Sequence, residues 1–319
     1  MTTEPQTLPS DPLWPRTGDW PAPGQREAFD LALVGVPTSR TSLSPSNAHE
    51  TPGAVREALR RYSSHWVDPA SPGAHGDERE LVLDEALRIV DAGDLPGPDT
   101  AEGEARAAEA IAALAVRCQL VVALGGDNAL TVPVALGVTG GTAGLATAGL
   151  ITLDAHHDLR EGRSNGSPVR RLIEAGLEPR RIVQIGIADF ANSRAYRHEA
   201  KRLGITVIHR NELHERPMRE VVAEALAIAG SGGGPIHVDL DVDVCDRAVA
   251  PACPASIPGG LQAHELRLAA RLFAADPRVR GIDLAEVDAT ADAADGRTVR
   301  LAALCVLEAA AGLSLRLAR

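Results

Sequence analysis

Short apolar runs alternate with longer stretches of helical spacing along the chain. The runs Leu31–Val36, Gln119–Leu124, Leu150–Leu153, Ile182–Ile187, Ile205–Ile208, Ile236–Leu240 and Val279–Leu284 predict strands. Between them, Thr51–Tyr62, Thr100–Val116, Ser193–Leu203, Arg219–Ala229, Ala263–Ala275 and Gly296–Leu315 carry the 3.6-residue period of helices. Strands that are continuously apolar are covered on both faces, and strands that alternate with helices run parallel. The expected fold is therefore a three-layer α/β/α domain with a mostly parallel central sheet, over residues 29–319. Residues 1–28, rich in Pro and polar side chains, are expected to form a flexible N-terminal segment without the apolar core of a signal peptide. No repeat of 20 to 50 residues is visible.

In such sheets ligands bind beyond the carboxyl ends of the strands, and the chain crowds its polar chemistry there. Leu124 is followed by Gly125-Gly126-Asp127-Asn128. Leu153 is followed by Asp154-Ala155-His156-His157-Asp158. The run from Ile236 ends in Asp239-Leu240-Asp241-Val242-Asp243, and Leu284 runs into Ala285-Glu286. If these segments stay extended, Asp154, His156 and Asp158 share one side, as do Asp241 and Asp243. Any one of these acids could cap a helix instead. Together, uncompensated, they would repel strongly, and burying an unpaired charge costs several kcal/mol. Divalent metal is the natural compensation, and carboxylates with one imidazole suit manganese.

Composition narrows the picture. The net charge of -11 over 319 residues argues against a nucleic-acid or anionic-membrane partner. No uninterrupted apolar run reaches the roughly 18 residues of a membrane span. Cys118, Cys245, Cys253 and Cys305 show no metal-binding or disulfide spacing, and a cytoplasmic location is the default expectation. All but one of the 32 basic residues are Arg, so no single Arg is meaningful by itself.

These motifs resemble those of the ureohydrolase (arginase-like) family. Asp154-Ala155-His156-His157-Asp158 resembles its DAHxD motif, and Asp241-Val242-Asp243-Val244-Cys245-Asp246 its DxDxxD motif. Gly125-Gly126-Asp127-Asn128 occupies the place of its GGDH. The resemblance covers roughly residues 30 to 315. It implies the arginase fold, a homo-oligomer, and one or two Mn2+ ions with a hydroxide between them as nucleophile. It implies that Asp154 and Asp241 bridge the ions, that Asp158 and Asn128 complete one, and that His156 and Asp243 complete the other. Asn128 replaces the family's histidine, which leaves two classes open: an active C–N hydrolase, or a non-catalytic homologue with an impaired metal site.

The loop Arg160–Arg170 bears on substrate. Asn165-Gly166 stands where agmatinase-like members carry His-Gly. The pattern Ser164-Asn165-Gly166-Ser167-Pro168 is more similar to the formimidoylglutamase branch. That likeness implies hydrolysis of N-formimidoyl-L-glutamate to L-glutamate and formamide, a step of histidine degradation. An agmatinase or other guanidino-compound hydrolase is the alternative. Arg160, Arg163 and Arg170 would clamp carboxylates, with Ser164, Asn165 and Ser167 in the same loop. Glu286 would face the cationic head of the substrate. Asp158 and Glu286 are the expected catalytic residues. His157 is expected to be structural, His237 to support the second motif, Asp127 to orient its neighbours, and Asp246 to cap the loop entering Pro251.

Overall fold

β-Branched and leucine-rich runs form the strands of one central sheet, and the sequence period of two is lost in them because both faces are covered. The computed structural model describes residues 11–72 and 78–318. Ten strands occur among them: β1 (Leu31–Val36), β2 (His65–Pro72), β3 (Glu78–Val82), β4 (Ile89–Asp94), β5 (Leu120–Gly125), β6 (Gly149–Leu153), β7 (Ile182–Ile187), β8 (Thr206–His209), β9 (Ile236–Asp241) and β10 (Val279–Ala285). Eight of them build the sheet, in the order β4-β1-β5-β10-β9-β6-β7-β8, and every neighbouring pair is parallel. The remaining two, β2 and β3, pair antiparallel beside it.

Alternate residues of each strand feed two apolar layers. Leu31, Leu33, Leu120, Val122, Leu124, Leu153, Val238, Leu240 and Leu284 lie in one core. The helices Thr51–Leu59, Met218–Ala229, Ala263–Ala274 and Arg297–Leu317 supply its other half. Ala32, Val34, Val36, Val121 and Ala123 face the opposite way, with Ile111, Leu114, Leu130 and Val134 against them. A third cluster extends this layer under β6 and β7 through Leu150, Ile182, Val169 and Leu172. Burying each such Leu, Ile or Val side chain is worth roughly 1.5–3 kcal/mol. The expected three-layer α/β/α architecture is what forms.

The helix Arg297–Leu317 is long and apolar enough to cross a membrane by length and composition, with a mean hydropathy of 1.6. In the fold 78% of that stretch is buried, so it is a core helix.

The expected flexible segment over residues 1–28 needs correction where it is described. Thr17 N donates to Tyr62 O at 3.0 Å, Trp20 Nε1 to Asp84 Oδ1 at 2.8 Å, and Asp91 N to Pro21 O at 3.0 Å. Trp20 packs on the core, so this stretch is strapped to the domain by an aromatic side chain and backbone pairing. Residues 1–10 lie outside the described residues.

Candidate metal centre and active-site pocket

The carboxyl ends of β5, β6, β9 and β10 converge on one point, and each delivers polar side chains to it through a tight turn. After β5 the chain passes beneath Thr38. A Cβ on Gly126 would stand 1.9 Å from Thr38 O, so the turn admits only glycine. Asp127 then accepts from Ala129 N at 3.2 Å and from Ser42 Oγ at 2.8 Å, the orienting role expected of it.

After β6 and β9 the backbone does not remain extended, which corrects the expectation of alternating faces. Asp154 Oδ1 accepts from His156 N at 2.6 Å, and Asp241 Oδ1 accepts from Asp243 N at 2.8 Å. In each case an aspartate bonds the backbone two residues on, folding a local turn. The turns bring His156 Nδ1 to 3.0 Å from Asp243 Oδ2 and 3.4 Å from Asp154 Oδ1. Asp154, His156 and Asp243 offer ligand atoms within 4.8 Å of one another, a group able to hold a metal ion. Asp158 arrives by a left-handed residue, φ 52°, and Glu286 likewise at φ 62°. Such conformations cost on the order of 1–3 kcal/mol and persist where the surroundings over-determine them.

Electrostatics show a deficit of positive charge. Asp154, Asp158, Asp241, Asp243 and Glu286 are all buried. Burial, reinforced by the charge of Asp243, pushes Asp154 up to about 6. Burial and neighbouring carboxylates raise Asp158 and Asp241 well above the usual range. Burial pushes Glu286 up to about 8, against the hydrogen bonds from Asn128 and Asn165. Burial opposes the charge on His156 as well, but the carboxylates of Asp243 and Asp154 push it up to about 12. Burial would raise Asp243 too, yet the His156 cation holds it below the ordinary value. One imidazolium thus serves one carboxylate, and the others are left short of a cation.

A cavity of about 330 Å3 opens onto this cluster, a size that suits a small ligand. Of the three arginines expected at substrate, Arg160 lines it and has no side-chain partner among the described residues. The other two need correction. Arg163 Nη2 lies 2.9 Å from Thr100 O and 3.1 Å from Glu104 Oε2, and Arg170 Nε donates to Leu159 O at 2.8 Å. Neither lines the cavity. Ser164 and Ser167 do not line it either. Their hydroxyls bond each other at 2.8 Å, because the loop closes on itself just before the helix Pro168–Glu174. Asn165 does reach the cavity wall. Asn128 reaches the edge of the cluster, but with its Nδ2 toward Asp158 Oδ2, while Thr131 Oγ1 donates to its Oδ1 at 2.8 Å.

The supporting residues fall where the sequence suggests. His157 is buried, its Nδ1 2.7 Å from Gln184 Oε1. His237 Nε2 lies 3.0 Å from Asp283 Oδ2, joining β9 to β10 within the buried sheet. Asp246 accepts from Ala248 N and Gly259 N. All four cysteines are free and buried. Sequence reasoning missed the wall built by Ser42, Leu43, Ser44 and Ser46 and the one built by Asn192 and Tyr196. The available signal was position: both segments follow carboxyl ends, of β1 and β7.

The chain is 34% identical over 293 residues to a formimidoylglutamase of Bacillus subtilis, covering 89% of this chain and 87% of that protein. The crystal structure of a formimidoylglutamase from Bacillus subtilis superposes with a TM-score of 0.83 at 30% identity, over 98% of this chain and 96% of that one. Trypanosoma cruzi formiminoglutamase, solved with Mn2+, shares the fold at a TM-score of 0.75 and 20% identity, over 92% and 96% of the two chains. Residues 29–312 match the arginase family. With this fold, these motifs and that coverage, the chain belongs to the arginase family.

Proposed function

We propose that the chain hydrolyses N-formimidoyl-L-glutamate to L-glutamate and formamide with the help of one or two Mn2+ ions. The observation that carries this reading is the meeting, in one cavity, of a cation-deficient acid cluster and the unpartnered guanidinium of Arg160. Relatives named formimidoylglutamase at 34% identity support it.

The donor set fits manganese. Asp154, His156, Asp158, Asp241 and Asp243 would hold the metal, with Asn128 at its edge; they offer hard oxygen donors and one imidazole, without a thiolate. When bound, the metal supplies a reactive hydroxide at neutral pH and stabilises charge that develops on the substrate.

The chain's own residues do the rest. Arg160 would pair with a substrate carboxylate, for which a planar guanidinium is well matched. Glu286 would accept hydrogen bonds from the cationic formimidoyl nitrogens. Asp158, whose Oδ2 accepts from Asn128 Nδ2, would take a proton from attacking water at the edge of the metal site. It would return that proton to the glutamate nitrogen as the C–N bond breaks. A homo-oligomer, a cytoplasmic location and a place in histidine degradation belong to the same reading, on family resemblance.

The test is a substrate panel with added manganese, in which formamide, ammonia and urea are measured separately. Formamide from formimidoylglutamate is the expected product. Urea from agmatine or arginine at a higher rate would assign the chain to another activity of the family.

A further inference from the structure

Glu286 needs a brace. Its backbone is left-handed, and its carboxylate enters the cavity from the end of a strand rather than from a packed helix face. Its own N–H donates to Gly126 O at 2.9 Å. Two donors then converge on a single carboxylate oxygen: Asn128 N reaches Oε1 at 2.8 Å, and Asn165 Nδ2 reaches it at 2.7 Å. Asn165 is the one side chain among the described residues that bonds Glu286.

The other end of the same amide is also engaged. Asn165 Oδ1 accepts from Leu43 N at 3.0 Å, and the Asn165 backbone N–H donates to Thr41 O at 3.3 Å. One planar group thus joins the loop after β1, the loop after β6 and the end of β10. An amide is suited to this because it carries a donor and an acceptor together, whereas a carboxylate offers acceptors alone. With Oε1 occupied twice, Oε2 remains for a ligand.

We propose that Asn165 is a positioning residue that aims Glu286. By holding Oε1 and fixing the wall of residues 41–46, it presents Oε2 to the N–H groups of an amidinium and sets the pocket's preference for that cation over a neutral amide. The proposal rests on the formimidoylglutamate reading for the identity of the substrate, not for the geometry.

The test compares wild type, Asn165→Ala and Asn165→Asp. The aspartate keeps the acceptor for Leu43 N but loses the donor to Glu286. For each protein one measures KM and kcat with formimidoylglutamate, the inhibition constant of N-formyl-L-glutamate, an isostere whose head group is neutral, and manganese content. Removing a hydrogen bond to a charged group predicts a ten- to hundredfold rise in KM for both variants. In Asn165→Asp the inhibition constant of the formyl compound should change less than about threefold, with manganese content as in wild type. Unchanged KM, or equal weakening of both ligands in Asn165→Asp, overturns the proposal. If wild type releases no formamide, the substrate reading falls, and the positioning is then read with formamidinium ion alone by calorimetry. Binding at least tenfold weaker to Asn165→Asp than to wild type upholds it. Equal binding, or none to wild type, overturns it.

Discussion

Asn128 Nδ2 lies 2.7 Å from Asp158 Oδ2, so this amide meets the acid cluster with its hydrogens and not with a lone pair. Its oxygen is taken by the Thr131 hydroxyl. A histidine at 128 would bring a ring nitrogen that can carry a lone pair toward the same edge. Asn128→His is therefore expected to tighten manganese binding about ten- to a hundredfold, on the scale of ligand-support effects. Calorimetric titration of metal-free wild type and variant checks this. Identical affinities would show that position 128 does not reach an ion.

The crowded carboxylates make the metal-free protein sensitive to alkali. Groups whose folded pKa is raised stabilise the fold at low pH, and that contribution is lost as pH rises through the folded value. Glu286 at about 8, His156 at about 12, and the raised Asp158 and Asp241 all act in this direction. His157, lowered by burial, opposes it only below about pH 6.5. Between pH 6.5 and 8.5 the Tm of metal-free protein should fall by several degrees, at about 1.4 kcal/mol per pH unit for each group titrating. Manganese should raise Tm more at pH 8.5 than at 6.5, because protons compete for the same oxygens. A flat Tm profile in the absence of metal would contradict the raised carboxylates.

Arg160 and Arg163 separate cleanly in the structure, and kinetics should separate them too. Arg160→Ala is expected to raise KM for formimidoylglutamate by about ten- to a hundredfold, through loss of a charge-assisted pair. Arg163→Ala breaks a partly buried pair with Glu104 away from the cavity, and its KM should stay within about twofold. Steady-state kinetics of the two variants decide the matter. Gly166→Ala provides a third reading. Its Cβ would meet Arg160 Cδ at 2.7 Å, so it should displace the arginine and reproduce part of the KM effect.

Gly126→Ala should be far more damaging. The added Cβ meets backbone of Thr38 at 1.9 and 2.4 Å, and backbone does not swing aside like a side-chain tip. The expected loss is about 3 kcal/mol or more of stability, at or above the upper end of overpacking costs. Thermal unfolding measures it. A variant that unfolds within a degree of wild type would mean that the turn relaxes.

The sequence was legible where one physical signal dominated. Seven apolar runs became central strands because burial on both faces demands continuous apolar sequence, with boundaries that match or shift by one residue. Strand β4 escaped notice because it is an edge strand whose Asp91 and Asp94 are held by Arg56 rather than by apolar packing. The helix Thr131–Thr139 escaped because it is apolar nearly all round, which removes the helical period, and it contains Pro133 and Gly137. The acids of the cluster could be read from their positions at strand ends. The route by which Asp158 and Asp243 reach it could not, since a left-handed residue and an aspartate-backbone turn leave no periodic trace. Arg163 and Arg170 misled because loop proximity in sequence says nothing of which way a loop closes.

The place of β10 has a consequence for how the protein is made. It is the last strand in sequence, yet it lies between β5 and β9 in the middle of the sheet. Until it arrives, β4-β1-β5 and β9-β6-β7-β8 are two separate ribbons, each with an open edge where a strand is missing. Open parallel edges of this kind are exposed to wrong pairing during slow, non-local folding. Asn128 and Glu286 follow the ends of β5 and β10, while His156 and the aspartates come from the ends of β6 and β9, so one ribbon carries the metal-holding residues and Glu286 joins them only when β10 inserts. On the ribosome, the nascent chain must remain unjoined until residue 285 has emerged, and the activity is born in the same event that closes the sheet.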